Sequence, residues 1–540
     1  MRRPTVMRAM VALFGLSAGL CAAQQGPDDG AGRVAHFATE SVTATVEGDE
    51  IYWREFQTGE SAAAVIEATQ EKPSGRYGED PPDDFWGVRH PAWTQALLQG
   101  HGDPPDLTLD PGRTEVCDIY LGLRAVDPIM TFGIRLASED EFTIITAPAA
   151  TSEKHYDFEF PWKAQVPMAG EKIVVRALGK PIYLHYLRFV PHVEVQQELR
   201  VADEHIEIIR EEDRHFAFPG VAELPGGDLL VVCREGDAHV CPRGRIVMSR
   251  STDGGETWSP REVIYDSPSD DRDPAIICLE DGTVVVSFCT WDSWRASPAL
   301  RDRYAEETAH MDDVGWGEYS GSKLIVSTDG GRTWSEKRPA PVFSPHGPIV
   351  GPDGALYWVG KESRDGARVI AIWRTEDAGE TWERFSEVSY SPGQKNANTL
   401  PVWDEPNMIF LPDGRAICTL RVNLDGAVRH AISRDGGKTW GWPQKMDVWG
   451  YPQHLCRLGD GHLIMAYGYR RDPRGVRACI SDDAGETWDI SHEIVFRHSG
   501  ADNDLGYPYT IQLRDGRVLT VYYYTQTVGE CHIEGVFYRP

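Results

Sequence analysis

The chain has 540 residues and sets 54 Lys and Arg against 83 Asp and Glu, a formal charge of −29 with His neutral. Such an acidic chain repels nucleic acid and anionic membrane surfaces, so neither is expected as a partner, and an anionic small substrate would need a locally basic site. With 41% hydrophobic residues the composition is globular, and the length suits two domains.

The N-terminus carries Arg2, Arg3 and Arg8, then the apolar run Ala9 to Leu20, then small residues ending at Ala22 and Ala23. This order reads as a cleaved secretory signal over residues 1–23, and it predicts export to the periplasm or beyond. Cleavage would remove three Arg and no acid, taking the charge from −29 to −32. No later run approaches the roughly 18 apolar residues of a membrane span. Nine cysteines remain, most inside apolar runs such as Ile276-Ile277-Cys278 and Ala416-Ile417-Cys418, which predicts buried free thiols rather than a disulfide framework.

Residues 24–33 read as a flexible lead-in. From Val34 to about Val195 the texture is one of short strands: Thr43 to Val46, Ile119 to Leu121, Ile129 to Ile134, Phe142 to Ile145, Ile173 to Val175 and Ile182 to Phe189. With Gly and Pro between them, they predict an N-terminal β-sandwich over 34–195. The proline-rich interruption from Gly75 to Pro105 reads as a long ordered loop, whose Trp86 and Trp93 either pack the sandwich or stack on a sugar. Pro191 to Glu204 leads into a second region, 204–540.

That region repeats one pattern, S/T-x-D-x-G-x-T-W, five times: Ser251 to Trp258, Ser327 to Trp334, Thr375 to Trp382, Ser433 to Trp440 and Ser481 to Trp488. The Asp caps its own turn, the Gly takes the left-handed position, and the Trp plugs into neighbouring strands. Six Gly-containing hairpin turns accompany them, at Leu224 to Leu229, Glu280 to Thr283, Pro352 to Ala355, Pro412 to Arg415, Gly459 to His462 and Arg514 to Arg517. Six hairpins predict an all-β, six-bladed propeller. A ring has to close, so the strand at His205 to Arg210 is expected to complete the sixth blade beside His532 to Tyr538. The insert from Trp291 to Gly321 is expected to form a loop at one rim of blade 2.

Five such boxes on a six-hairpin ring resemble the sialidase (neuraminidase) superfamily over residues 205–540. The resemblance implies a retaining exo-glycosidase in which a Tyr activated by a Glu attacks the anomeric carbon, an acid protonates the leaving group, and three Arg clamp a substrate carboxylate. The stretch EPNMIFLPDGRAICTLR places Glu405 and Arg421 sixteen residues apart across a hairpin, as the family's Glu and second Arg stand. Gly506-Tyr507-Pro508 is similar to the segment holding the nucleophile, which implies Tyr507, with Tyr509 one alternation on. The third Arg should precede the last box, where Arg470, Arg471, Arg474 and Arg477 stand; Arg470 and Arg477 adjoin strand-like residues and are the expected ligands. Blade 1 departs from the family: Phe216-Ala217-Phe218-Pro219 has Ala217 where the first clamp Arg belongs. Counting back from the first box, the acid position falls at His239, with Asp237 two residues earlier; either is a candidate proton donor. Arg234 is a candidate for the lost guanidinium.

The implied substrate is therefore a glycan ending in an acidic sugar, with no cofactor. Two other readings remain at this point. One is a hydrolase or lyase acting on acidic polysaccharide through a central His, with His239, His346 or His454 as acid or base; the other is a non-catalytic glycan-binding propeller. Neither HExxH nor GxxxxGK[ST] occurs, so metal catalysis and phosphate-loop chemistry have no motif support. The oligomeric state is left open.

Overall fold

A computed structural model describes residues 33–47, 51–54, 107–125, 131–146, 156–177, 184–292, 298–309, 319–364, 367–390, 403–422 and 426–540. The signal-like segment and the stretch holding Trp86 and Trp93 lie outside the described residues. Each of the six hairpin turns forms as a pair of backbone hydrogen bonds, for example Gly227 N to Leu224 O at 2.9 Å and Leu224 N to Asp228 O at 2.8 Å in blade 1. From these hairpins grow six four-stranded antiparallel blades. Their inner strands begin at His215–Glu223, Asp270–Cys278, Ile349–Val350, Trp403–Phe410, Gln453–Arg457 and Gly506–Gln512.

The ring closes as expected. Ile206–Ile209 pairs antiparallel with Glu530–Tyr538 and is the outer strand of blade 6, so the last blade borrows its edge from the residues just before the first.

The five boxes share one set of bonds. In the first, Ser251 Oγ donates to Asp253 Oδ1 at 2.8 Å, Gly255 N donates to Ser251 Oγ at 2.9 Å, and Thr257 N donates to Asp253 Oδ1 at 2.9 Å. The same bonds recur around Asp329, Asp377, Asp435 and Asp483. Each box then sends its Trp into the seam with the preceding blade: Trp258 packs between blades 6 and 1, Trp334 between 1 and 2, Trp382 between 2 and 3, Trp440 between 3 and 4, and Trp488 between 4 and 5. Blade 6 has no box, and its seam with blade 5 is filled by Tyr522, Tyr524, Tyr538 and Phe496. The box is a wedge that fixes the rotation from one blade to the next.

The N-terminal region forms two antiparallel sheets. One is built around Leu184–Ala202, which pairs with Phe37–Glu47, Ile51–Arg54 and Val116–Ala125; Val116–Ala125 pairs in turn with Tyr156–Pro167. The other joins Leu107–Leu109, Ile173–Ala177, Thr131–Leu136 and Thr143–Thr146. Cys117, Ile119 and Leu121 of the first, with Phe132, Ile134 and Ile173 of the second, are buried. The stretch that reads as a linker in the sequence, Pro191 to Glu204, is mostly strand: Leu184–Ala202 runs through it and touches the outer strand of blade 5 in parallel, Val495 opposite Val201. The insert of blade 2 folds in part as two short helices, Pro298–Arg303 and Ala305–Thr308, and Tyr304 buries itself against Cys241 of blade 1. All nine cysteines of the described residues are free thiols.

Boxes three and five hold Ala378 and Ala484 at φ of 51° and 59°, where the other three hold Gly254, Gly330 and Gly436 at 72–73°. A left-handed L-residue costs about 1–2 kcal/mol, partly offset by the greater freedom of Gly in the unfolded chain. Ala378→Gly should therefore raise the unfolding free energy by about 0.5–1 kcal/mol, read as a shift of the denaturant midpoint at constant slope.

Candidate active site

One backbone device recurs around the axis. In blades 1, 2, 4 and 6 the inner strand has a residue of positive φ directly before a proline: Phe218 at 59°, Asp273 at 53°, Glu405 at 39° and Tyr507 at 45°. Each marks a bulge, at which that residue and its proline face a single residue of the second strand. Residues before proline ordinarily stay extended, and a bulky side chain at positive φ costs on the order of 1–3 kcal/mol. Four such costs in register are held by the surrounding sheets, and they turn four side chains toward one another. In blade 3 the equivalent residue is Gly347, at φ 64° before Pro348; a Cβ there would lie 2.5 Å from Ser287 Oγ and 2.7 Å from Ala275 Cβ.

The turned side chains meet. Tyr507 Oη donates to Glu405 Oε1 at 2.6 Å, Arg421 Nη1 donates to Glu405 Oε2 at 2.5 Å, and Arg421 Nη1 lies 3.3 Å from Tyr507 Oη. The Phe218 ring packs against Tyr507 with centres 4.7 Å apart. Tyr507 is 8% exposed. Burial, then the Glu405 charge, pushes its phenol well above the ordinary value. Burial pulls Glu405 upward too, but the Arg421 charge and the hydrogen bonds from Tyr507 and Arg421 outweigh it and hold the carboxyl below its ordinary value. The pair is a neutral phenol resting on an ionised carboxylate, poised for proton transfer from oxygen to oxygen.

Arg470 joins this group. Its Nε and Nη2 donate to Leu505 O at 3.1 and 3.0 Å, and Nη2 also donates to Tyr523 Oη at 3.2 Å. Its guanidinium lies 5.6 Å from the Tyr507 ring centre and 5.2 Å from that of Tyr451, whose ring also carries Arg421 at 4.4 Å. Two cations thus share one aromatic ring, and of the two Arg421 is the one paired with the Glu405 carboxylate.

The other expected residues are placed differently. Arg477 is held in the body of blade 5, ion-paired to Glu493 at 2.7 Å with its guanidinium 3.6 Å from the Tyr469 ring, and it does not reach Tyr507. Arg234 is fully buried and committed to protein: it donates to Asp270 Oδ1 at 2.7 Å, to Ala238 O at 2.9 Å and to Cys241 Sγ at 3.2 Å, so it replaces no substrate ligand. Asp237 is ion-paired to both Arg214, at 2.7 Å, and Arg243, so its carboxyl oxygens are engaged by protein cations. His239 stands at the mouth, 44% exposed, its ring edge 5.4 Å from Phe218 and its Nδ1 2.7 Å from Asp504 Oδ1. Ala217 is buried with no guanidinium of its own. His346 and His454 are buried and touch each other at 5.2 Å; desolvation holds His346 at about 3 and His454 low, so both are neutral packing groups inside the ring.

Residues that the sequence reading passed over also converge. Arg272 lies 5.0 Å from the Phe218 ring centre, on the blade next to Ala217, with Asp270 at 3.3 Å and Asp273 at 3.4 Å. Asp273 is 6% exposed; burial pushes its carboxyl up against the pull of Arg272, and among the described residues its Oδ1 has no hydrogen-bond partner. Lys361 pairs with Asp404, beside Glu405, at 2.5 Å. The signal that could have found Asp273 is the residue-before-proline pattern it shares with Glu405-Pro406 and Tyr507-Pro508. For holding a metal, the described residues offer one group of three, His215, His239 and Asp504, with one ligand atom each within 4.8 Å of the others. A separate cleft of about 460 Å³, lined by Phe37, Arg200, Trp488 and His492 among others, lies on the outside of blade 5, away from Tyr507.

Comparison with known proteins bears on the repeats and the fold. A family model described as BNR repeat-like domain matches residues 309–520, and one described as BNR/Asp-box repeat matches residues 249–260. A sialidase of Bacteroides fragilis is 25% identical over 225 residues, 37% of this chain and 36% of that protein. A sialidase of Micromonospora viridifaciens is 22% identical over 261 residues, 43% of this chain and 37% of that protein. The match thus spans little more than a third of the length of either relative. Among solved structures, a Dyadobacter fermentans protein of unknown function is similar at 28% identity and a TM-score of 0.51, over 62% of this chain and 97% of that one. Five boxes wedging six blades into a closed ring, together with these matches, support a place for the chain among the BNR/Asp-box propellers of the sialidase superfamily.

Proposed function

We propose that the chain is an exported, exo-acting glycoside hydrolase of sialidase type that removes a terminal acidic sugar from a glycan with retention of configuration. The observation that carries the reading is the buried Tyr507 hydroxyl donating to Glu405 at 2.6 Å, with Arg421 on the far carboxylate oxygen. Tyr507 Oη forms the bond to the anomeric carbon as the glycosidic C–O bond breaks, and its proton passes to Glu405. The leaving oxygen takes a proton from an acid on the opposite side. Water then attacks the anomeric carbon, loses its proton to that acid's conjugate base, and displaces Tyr507, which recovers its own proton from Glu405. Two displacements at one carbon give retention.

The charge pattern supports an acidic sugar. Arg421 and Arg470 crowd one Tyr451 ring in a chain of net charge −29, and a carboxylate between them relieves their mutual repulsion. A neutral phenol is the nucleophile suited to a carbon that bears a carboxylate, because a carboxylate nucleophile would meet like charge. Arg272 of blade 2, 5.0 Å from the ring of Phe218 beside Ala217, is the cation we propose in place of a blade 1 arginine.

Tyr507→Phe should fold as the parent does and lose at least about 10³-fold in turnover of an aryl sialoside or aryl uronide. Turnover at the parent's rate, or glycan binding by the parent without any turnover, would sink the reading. Because Glu405 is held below its ordinary value, the base is present above that value and is lost as pH falls through it; the acid limb of kcat/KM belonging to Glu405 should lie below pH 4.5. Arg421→Met removes the largest of the downward pulls and should move that limb up, alongside a higher KM for the acidic substrate.

A further inference from the structure

We infer that His239 is the acid that protonates the leaving group and the base that later activates water, and that Asp504 is its positioning residue. The assignment rests on the retaining-hydrolase reading above and supplies the proton donor that reading leaves unnamed.

The mouth of the ring holds three polar side chains from three separate segments. His239 comes from the loop after the second strand approach of blade 1, His215 from the start of its inner strand, and Asp504 from the loop entering blade 6. Asp504 bridges the two rings with separate oxygens: Oδ1 lies 2.7 Å from His239 Nδ1, and Oδ2 lies 2.7 Å from His215 Nε2. The main chain that carries this carboxylate is held in place, since Asp504 N donates to Asp502 Oδ1 at 2.8 Å and Thr525 Oγ1 donates to the Asp504 main-chain O at 2.5 Å. The loop bearing His239 is fixed from below by Cys241, which receives Arg234 Nη2 and Asp237 N, and which packs on Tyr304 of the blade 2 insert.

A carboxylate on Nδ1 has two consequences for a histidine. It selects the form with a proton on Nδ1, and it stabilises the imidazolium, leaving Nε2 as the atom that gives and receives protons. In His239 that atom belongs to a ring 44% exposed at the mouth, where the aglycone of an exo-acting enzyme departs. Burial holds His215 below its ordinary value despite Asp504, so His215 serves as a neutral donor that steadies the carboxylate. The other charged groups that face His239 are Asp273 across the floor and Asp237 on its own loop, the latter already paired with Arg214 and Arg243.

Asp273 is the rival donor, and its position argues against it. It is 6% exposed, buried beside Arg272 and within electrostatic reach of Glu405, whereas the His239 side chain is 44% exposed and open to a departing group. The step balances through His239: Nε2–H passes to the glycosidic oxygen as the C–O bond to the anomeric carbon breaks and Tyr507 Oη bonds there. The neutral Nε2 then takes a proton from the attacking water as Tyr507 leaves with the proton returned by Glu405.

The test compares the full chain with its His239→Gln, Asp504→Asn and Asp273→Asn variants on 2,4-dinitrophenyl and sugar-linked forms of the same sialoside or uronide. A general acid matters little when the leaving group needs no proton. His239→Gln should therefore lose about 10²–10⁴-fold on the sugar-linked substrate and less than about tenfold on the dinitrophenyl one. Asp504→Asn should shift the basic limb of kcat/KM, a change that a purely structural residue would not cause, while Asp273→Asn should lose rate equally on both substrates. An equal loss for His239→Gln on the two, or a leaving-group dependence that follows Asp273→Asn, would overturn the assignment. If the parent chain turns over neither form, the hydrolase reading fails and the role of His239 with it. ¹⁵N spectra of histidine-labelled protein give a readout apart from activity: a proton on His239 Nδ1 is expected, and an Nδ1 occupied by a stoichiometric metal ion would overturn the assignment in favour of a metal centre.

Discussion

Everything at the centre of this molecule depends on the closing of its ring. Six sheets arranged about an axis bring their inner strands together only if none of them can drift outward, and the seam most free to open is the one joined last. Here Ile206–Ile209 crosses that seam, leaving from the chain just ahead of blade 1 and pairing with the final strand of blade 6. The blade 1 inner strand also touches that final strand directly, His215 opposite Cys531. Tyr507 of blade 6 and Phe218 of blade 1 sit on either side of the same seam, and their rings are in contact. Loss of closure would separate Tyr507 from its packing partner Phe218 before it disturbed any single blade.

Within the closed ring, the electrostatics of the floor are a balance between burial and pairing. Burial alone would neutralise Glu405, and it does push up the neighbouring carboxyl of Asp273. What keeps Glu405 charged is one guanidinium at 2.5 Å and one phenol at 2.6 Å. Two acids a few side chains apart are therefore shifted in opposite directions because their partners differ: Asp273 meets its arginine at 3.4 Å, whereas Glu405 meets its own in a short, nearly buried contact.

The parts of this arrangement that were legible in the sequence are those encoded locally. A box or an Asp-Gly turn states its own geometry in four to eight residues, so the blade count and the closing strand could be read directly, whereas the seat of each tryptophan in the seam with the preceding blade could not. Glu405, Arg421 and Tyr507 were legible because a hairpin of fixed length or a single strand carries each motif. Arg477, Arg234 and Asp237 show where such reading stops. An arginine on a strand gives no sign of whether a carboxylate waits across the sheet, and Glu493 and Asp270 absorb the first two; Asp237 looks like a free acid until Arg214 and Arg243 fold onto it. Asp504 was not legible at all, since nothing in a loop sequence announces that two histidines, 289 and 265 positions away, will share its oxygens.

The prolines that follow Phe218, Asp273, Glu405 and Tyr507 have one further effect. A bulge breaks a rung of the ladder and ordinarily strands an amide hydrogen, which in a buried place must find an acceptor. Proline has no such hydrogen, so at the residue after each turned side chain the main chain makes no demand on the pocket it surrounds. The chemistry of the floor is thereby left to side chains alone, on a backbone that stays the same whichever side chain it carries. A scaffold built this way can carry different side chains at its centre, such as Ala217 beside the Arg272 of the adjoining blade, without refolding.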